Sequence, residues 1–272
     1  MDWNAYREHL SKLYTKQNTS QQYSYAVKYY RYLEDPKKIS DLPTTIKDSV
    51  LKALIALSKY LGYYTEFTAS FKNHGIKWNH GNSLKAFLNI INNNHANLMS
   101  WYKSANNVLR PNEQLYLRYA LLSGLRKQEA IDSFNMVIDL SKSRKLDEYY
   151  DENTSCLQHF KYGKYLRKSK NTYITAISKD LLKEISDSNS VSYLKIRKRL
   201  TKHKMPLRIK ELRSYYATYL RNHGIISEYV DLFQGRISKD VFVRNYLKIE
   251  DLKALVCQIL NVIKDLENSM LS

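Results

Sequence analysis

The sequence predicts a mostly α-helical chain in two parts, α+β only in that one small β-hairpin interrupts the helices of the second part. Three observations carry this reading. Glycine and proline are scarce, 7 and 4 in 272 residues, so tight turns are few. Apolar residues recur at helical spacing along most of the chain, and a single stretch alternates apolar with polar residues around a basic turn. The length exceeds that of one ordinary compact domain, so two domains are expected, 1–94 and 95–272.

In chain order, "NTSQQYSYAVKYYRYLED" (18–35) spaces Tyr23, Val27, Tyr30 and Leu33 three or four apart, behind Thr19 and Ser20, either of which suits an N-cap. In "IKDSVLKALIALSKYLGYY" (46–64), Val50, Leu54, Leu57 and Leu61 form an apolar stripe, leaving Lys47, Lys52 and Lys59 for solvent or for phosphate. The stretches "NHGIKWNHGNS" (73–83) and "INNNHAN" (91–97) break the pattern, and the second marks the domain boundary. From Leu98 two helical segments run to "LLSGLRKQEAI", followed by a polar stretch around "KSRKLDEYYDENTS". The alternating stretch "CLQHFKYGKYLRKSKNTYITAIS" (156–178) is the hairpin. Helices then resume. One starts after Pro206 and closes at Gly224, burying Leu212, Tyr216 and Leu220, and the last steps through Leu252, Val256, Ile259, Ile263 and Leu266 by fours and threes.

Lysine and arginine outnumber aspartate and glutamate by 44 to 26, a net charge of +18. Such a field draws in polyanions and favours counterion release from a phosphate backbone, which makes nucleic acid the leading partner; an ordinary solvated basic surface is the bland alternative. Cys156 and Cys257 show no CxxC spacing, which argues against a disulfide framework and a zinc site and fits a reducing interior. The opening "MDWNAYREHLSKLY" is charged where a signal peptide is apolar, and no apolar run approaches the roughly 20 residues of a membrane span. A soluble, cytoplasmic, DNA-associated protein with no membrane partner is expected.

No phosphate-cradling glycine loop, two-metal carboxylate cluster or serine–histidine–acid set is present. A basic protein that cuts DNA without metals needs arginines at the scissile phosphate, because the guanidinium fork stays charged and donates parallel hydrogen bonds to phosphate oxygens. Three stretches set cations beside structural signals. "SGLRKQEA" has Arg126 behind Ser123-Gly124 with Glu129 one turn on. "PLRIKELRSYYATYLRNHG" has Lys210 and Arg213 three apart, hence on one helix face. "LFQGRISKDVFVRNYLK" has Gly235-Arg236, then Ser238 as a cap for a helix carrying Tyr246.

Taken together and in order, "GLRKQEA", a basic hairpin, "KELRSYYATYLRNHGI", "VDLFQGR" and Tyr246 resemble the tyrosine recombinase (phage integrase) family, whose commonest form reads TGLRxxEL, a hairpin lysine, HxLRHTFATxLxxxG, LGH and a tyrosine. The "FQGRxSKxVFVRxYL" variant is most similar to integrases of archaeal viruses and plasmids. The resemblance implies Arg126 and Arg213 as the paired catalytic arginines, with Lys210 and Arg236 where most members have histidine. Lysine and arginine at those places keep the site cationic and act as donors, not as bases. It implies Lys170 as the general acid, with Lys168, Lys164 and Lys161 as competitors; Lys168 otherwise serves as a DNA contact. Tyr246 is then the nucleophile, forming a 3′-phosphotyrosyl link with no metal, ATP or other cofactor. Residues 1–94 are implied to be a helical core-binding domain that clamps duplex DNA, with Lys47, Lys52 and Lys59 as contacts. The C-terminal stripe is implied to pack on a neighbouring subunit of a homotetramer, docking on its own core being the simpler alternative. A type IB topoisomerase-like activity and a non-catalytic DNA-binding protein on the same fold are the rival readings.

Overall fold

The structure, a computed structural model, describes residues 1–76, 78, 84, 87–88, 96–167, 170–237, 249 and 251–271. The chain is mostly helical with one small antiparallel sheet, and it divides into two compact units, Met1–Asn93 and Asn94–Ser272. Among the described residues no helix is long and apolar enough to cross a membrane.

The first unit contains α1 (Trp3–Leu13), α2 (Lys16–Tyr29), α3 (Thr44–Tyr60) and α4 (Tyr64–Asn73), with two short 3₁₀ turns joining α2 to α3. The Asp2 carboxylate starts α1 by accepting from the N–H groups of Asn4 and Ala5 at 2.9 and 3.1 Å, satisfying two of the four donors that a helix start leaves open. Tyr6 and Leu10 of α1, Ala26 of α2, Val50, Leu51, Leu54 and Leu57 of α3, and Phe67 of α4 form the core.

Two details differ from the expected pattern. Helix α2 begins at Lys16, so Thr19 is not a cap; it is buried inside the helix, and its hydroxyl donates to the Leu10 carbonyl at 3.3 Å. Ala26 and Tyr29 are buried while Val27 and, in the 3₁₀ turn that follows, Tyr30 are exposed, so the face that packs is not the one the spacing marked. In α3 the apolar stripe ends at Leu57, because Leu61 is the C-cap and lies exposed.

The second unit contains α5 (Ala96–Val108), α6 (Pro111–Ser123), α7 (Lys127–Lys142), the strands β1 (Tyr150–Asp151), β2 (Cys156–Gln158) and β3 (Ile174–Ala176), then α8 (Lys179–Ser186), α9 (Tyr193–Lys202), α10 (Ile209–Asn222), α11 (Ser227–Phe233) and α12 (Leu252–Leu271). Helix α6 lies at the centre, packed by α7, α8, α10 and α12, and is apolar nearly all round: Tyr116, Leu117, Tyr119, Ala120, Leu121 and Leu122 are all buried. Helix α7 continues the chain where the sequence reading stopped at "LLSGLRKQEAI"; its Ile131, Phe134, Val137 and Ile138 enter the same core.

Strands β2 and β3 pair antiparallel, Leu157 opposite Thr175, and β1 adds to β2 with Tyr150 opposite Leu157. The hairpin therefore pairs as predicted, but its strands are short, and the described residues that follow β2 form two 3₁₀ turns, at 159–161 and 163–165, before the chain returns to β3. Strand β1 lies in the stretch read as merely polar. Of the two cysteines, Cys156 is buried in β2 and Cys257 is exposed on α12, both as free thiols.

Helix α12 packs on α6, α10 and β3, and Val256, Ile259, Ile263 and Leu266 are buried in that core. The stripe that the resemblance assigned to a neighbouring subunit is thus covered by the chain's own unit. Burial of such side chains is worth about 1.5–3 kcal/mol each, which favours the near surface over a distant one.

A chain of buried polar groups ties the sheet to the helices. Tyr119 Oη meets Ser133 Oγ at 2.5 Å, Ser133 Oγ meets Tyr149 Oη at 2.9 Å, Tyr149 Oη meets His159 Nδ1 at 2.7 Å, and His159 Nε2 meets Thr175 Oγ1 at 2.7 Å. Burial, aided by the nearby Lys164 ammonium, pulls the His159 pKa down to about 3, so the imidazole is neutral in the fold. An unfolded histidine titrates near 6.5, and below that pH the unfolded chain binds a proton that the folded chain does not. Stability is therefore complete above pH ~6.5 and falls as pH drops towards 3, by up to about 1.4 kcal/mol per pH unit. In urea unfolding between pH 6 and 4, His159→Gln is expected to show a shallower decline than the wild type; parallel declines would show that His159 is not the group responsible.

Candidate active site

The site grows from the turn between α6 and α7. Gly124 ends α6 in the left-handed region, φ +61, and its Cα lies against the Tyr216 ring, where a Cβ would come within 2.3 Å of a ring carbon. The turn delivers Arg126 to the N-cap of α7. One turn on, Glu129 is buried, and its carboxylate accepts from the Arg126 backbone N–H at 3.1 Å, from Arg126 Nη1 at 2.8 Å and from Arg167 Nη2. That carboxylate closes the helix start, suits its positive end, and fixes the Arg126 guanidinium.

Arg213 on α10 is only 8% exposed. Its Nη1 donates to the Gly124 carbonyl at 2.9 Å and its Nη2 to the Gln234 carbonyl at 2.7 Å; buried Gln234 answers by donating Nε2 to the Arg213 carbonyl at 2.9 Å. Arg213 thus staples the turn before Arg126 to the turn before Arg236. Burial first, then the guanidiniums of Arg126 and Arg236, pull its pKa down to about 10, which leaves it charged at neutral pH. Several like charges held close, one of them in the interior, form a pocket whose natural complement is an anion.

Gly235 brings the fourth segment in. It sits at φ +67 directly on the hairpin connection, and a Cβ there would lie 1.9 Å from the Asn171 carbonyl oxygen. The same oxygen accepts from Arg126 Nη1 at 3.3 Å. Arg236 follows, exposed, with Nη1 3.3 Å from the Asp231 carboxylate, and exposed Lys170 immediately precedes Asn171. Arg126, Lys170, Arg213 and Arg236 are therefore gathered around one backbone junction.

Lys210 sits one turn before Arg213 and is exposed while Arg213 is drawn inward, so the shared helix face divides into an outer and an inner edge. Among the described residues no hydrogen bond or ion pair joins Lys210 to the other four. Tyr246, Lys168 and Ser238 lie outside the described residues. Two competitors of Lys170 have partners of their own: Lys161 Nζ donates to the Glu148 carbonyl at 3.2 Å, and Lys164 Nζ lies 5.1 Å from the centre of the Tyr165 ring. In the first unit Lys52 and Lys59 are exposed on one side of α3, Lys59 over the Tyr64 ring at 4.8 Å, whereas half-buried Lys47 points about 120–140° away from both.

Sequence reasoning passed over Arg167, Asn171 and Gln234, all of which hold the site together; only their place inside "LRKSKN" and "FQGR" marked them. It also passed over α9, where Lys195, Lys198 and Lys202 share an exposed side opposite buried Ile196 and Leu200. The helix starts beside α7, with Lys127 Nζ 3.9 Å over the Tyr193 ring. The density of basic residues in "KIRKRLTKHK" was the available signal. Among the described residues no three His, Cys, Asp or Glu side chains cluster as metal ligands would.

A pocket of fixed guanidiniums on such a basic chain suits a phosphodiester. One family model, described as archaeal phage integrase, matches residues 91–254. No match was found among curated proteins or among solved structures.

Proposed function

The chain belongs to the archaeal phage integrase family, and from that premise we propose that it breaks and rejoins DNA strands through a covalent tyrosyl intermediate with Tyr246 as nucleophile. Family membership makes it a recombinase that acts on DNA. The finer chemistry is supported above all by Arg213, whose side chain binds the turn leading to Arg126 and the turn leading to Arg236 at once.

In this reading Arg126, Arg213 and Arg236 hold the non-bridging oxygens of the scissile phosphate, and Lys210 adds charge at the rim. The Tyr246 oxygen forms a bond to phosphorus as the bond from phosphorus to the 5′ oxygen breaks. The phenol gives up its proton to water under the influence of the cationic pocket, and the departing 5′ oxygen receives one from Lys170. The engagement of Lys161 and Lys164 elsewhere favours Lys170 for that role. The 3′-phosphotyrosyl bond conserves the phosphodiester, so an incoming 5′-hydroxyl reverses the step without ATP. Exchange between two duplexes calls for several copies on DNA, and a homotetramer goes with this reading. Residues 1–94 serve as the clamp and 95–272 as the catalytic domain.

Lys52 and Lys59 are assigned to the DNA backbone in the clamp. Lys52→Gln with Lys59→Gln is expected to lower the slope of log affinity against log salt by about one unit per lysine in contact with phosphate. A slope identical to that of the wild type would remove this face of α3 from the interface.

The decisive experiment incubates the protein with nicked duplex fragments from its source genome, recovers adducts after denaturation, sequences the attached end and identifies the modified peptide by mass spectrometry. A 3′-phosphate on Tyr246 at a defined sequence is expected. Linkage to another residue would displace Tyr246, retention without a covalent bond would indicate a binding protein, and plasmid relaxation without exchange would indicate a topoisomerase.

A further inference from the structure

We infer that Arg167 is a positioning residue for proton donation, setting the place of Lys170 relative to Arg126; this rests on the reading of Lys170 as general acid. Arg167 uses three groups at once. Its Nη2 donates to the buried Glu129 carboxylate that also holds Arg126, its Nε donates to the Lys170 carbonyl at 3.0 Å, and its backbone N–H donates to Asn171 Oδ1 at 2.7 Å. The anchored end is the buried one: the Glu129 side chain is 4% exposed and that of Arg167 44%. Arg126 contributes a second tie to the same loop through the Asn171 carbonyl.

The main chain at Lys170 and Asn171 is thereby referenced to the carboxylate that fixes Arg126. The lysine stem is long and flexible, so the place of its ammonium depends on how firmly its own backbone is held. A general acid acts only within hydrogen-bond reach of the leaving atom, and a displacement of about 1 Å can cost about 10²-fold in rate. Loss of Arg167 is therefore felt at the protonation of the 5′ oxygen, while Arg126 keeps its own two bonds to Glu129.

The test follows single-turnover cleavage on two synthetic duplexes of the sequence recovered by covalent capture, one ordinary and one with sulfur in place of the bridging 5′ oxygen. When the phosphorus–sulfur bond breaks, the thiolate departs without a proton, since a thiol has a pKa near 8.5, far below that of an alcohol. Arg167→Ala is expected to slow the oxygen duplex roughly 10²-fold and to cleave the sulfur duplex at close to the wild-type rate. Arg167→Lys, which keeps a charge for Glu129 without the forked reach, is expected to fall between, and it carries the same comparison should the alanine variant unfold. Lys170→Ala is measured beside them. If sulfur fails to rescue Lys170→Ala, the assignment of Lys170 falls and the inference with it. If sulfur rescues Lys170→Ala while the Arg167 variants are slowed equally on both duplexes, or on neither, Lys170 stands and the positioning role of Arg167 is overturned.

Discussion

Tyr246→Phe is expected to abolish covalent capture of DNA, by 10⁴-fold or more on the order of magnitude seen when a nucleophile is deleted, and to leave duplex binding within about twofold. The substitution removes the oxygen that, in the proposed mechanism, joins phosphorus, and it retains the ring. Arg126 keeps its bond to the Glu129 carboxylate and Arg213 its bonds to the Gly124 and Gln234 carbonyls, so the proposed phosphate site is still in place. Denaturing gels of the trapped adduct, with retardation on native gels as control, check both halves. The chain has 24 tyrosines, and several are poor substitutes. Tyr116, Tyr119, Tyr149 and Tyr216 are fully buried, and burial pushes each hydroxyl far above its usual pKa. Even Tyr216, which packs beside Gly124, is closed off from a phosphate. An adduct surviving in Tyr246→Phe would move the role to another exposed hydroxyl.

Arg213→Ala is expected to lower both activity and stability, which separates it from Tyr246→Phe. Truncation leaves the buried carbonyls of Gly124 and Gln234 without their donors, at about 1–3 kcal/mol each, and relief of repulsion among the neighbouring guanidiniums returns part of that. A net loss of about 2–4 kcal/mol in urea unfolding is expected. Cleavage should fall by 10³-fold or more, since a fixed charge at the phosphate is lost and the turn before Arg236 is released. Arg213→Lys keeps a charge but cannot present two parallel donors to carbonyls on opposite sides, so it should recover only part of either quantity. Unchanged unfolding in Arg213→Ala would mean that the staple between the two turns carries no weight.

How far the sequence disclosed this molecule depends on the range of the interaction concerned. Periodicity reported the buried faces of α3 and α10 correctly, because Val50, Leu54 and Leu57, like Leu212, Tyr216 and Leu220, are placed by spacing alone. It misjudged α2, where the helix starts at Lys16 without a side-chain cap and Thr19 is occupied by a carbonyl of α1 that no local pattern reveals. Strand β1 escaped because two residues are too few to alternate, and its existence depends on Leu157 and Cys156 opposite. In the site, Arg126, Arg213 and Arg236 stood beside glycine turns or on an amphipathic helix, which local signals mark. Arg167 and Gln234 also reach partners 38 and 21 residues away, Glu129 and Arg213, and such pairings are made by the fold. The C-terminal stripe showed that a covering surface was needed without saying whose; the core around α6 supplies it.

The staple through Arg213 also governs when, during synthesis, the cationic pocket can form. Its two carbonyl partners come from opposite sides in sequence, and the second, at Gln234, leaves the ribosome after Arg126, Lys170 and Arg213 have all been made. A nascent polypeptide stalled short of that turn displays Arg126, Lys170 and Arg213 but has no means of aligning them, so the pocket assembles only once translation has passed the point at which the domain can close upon itself.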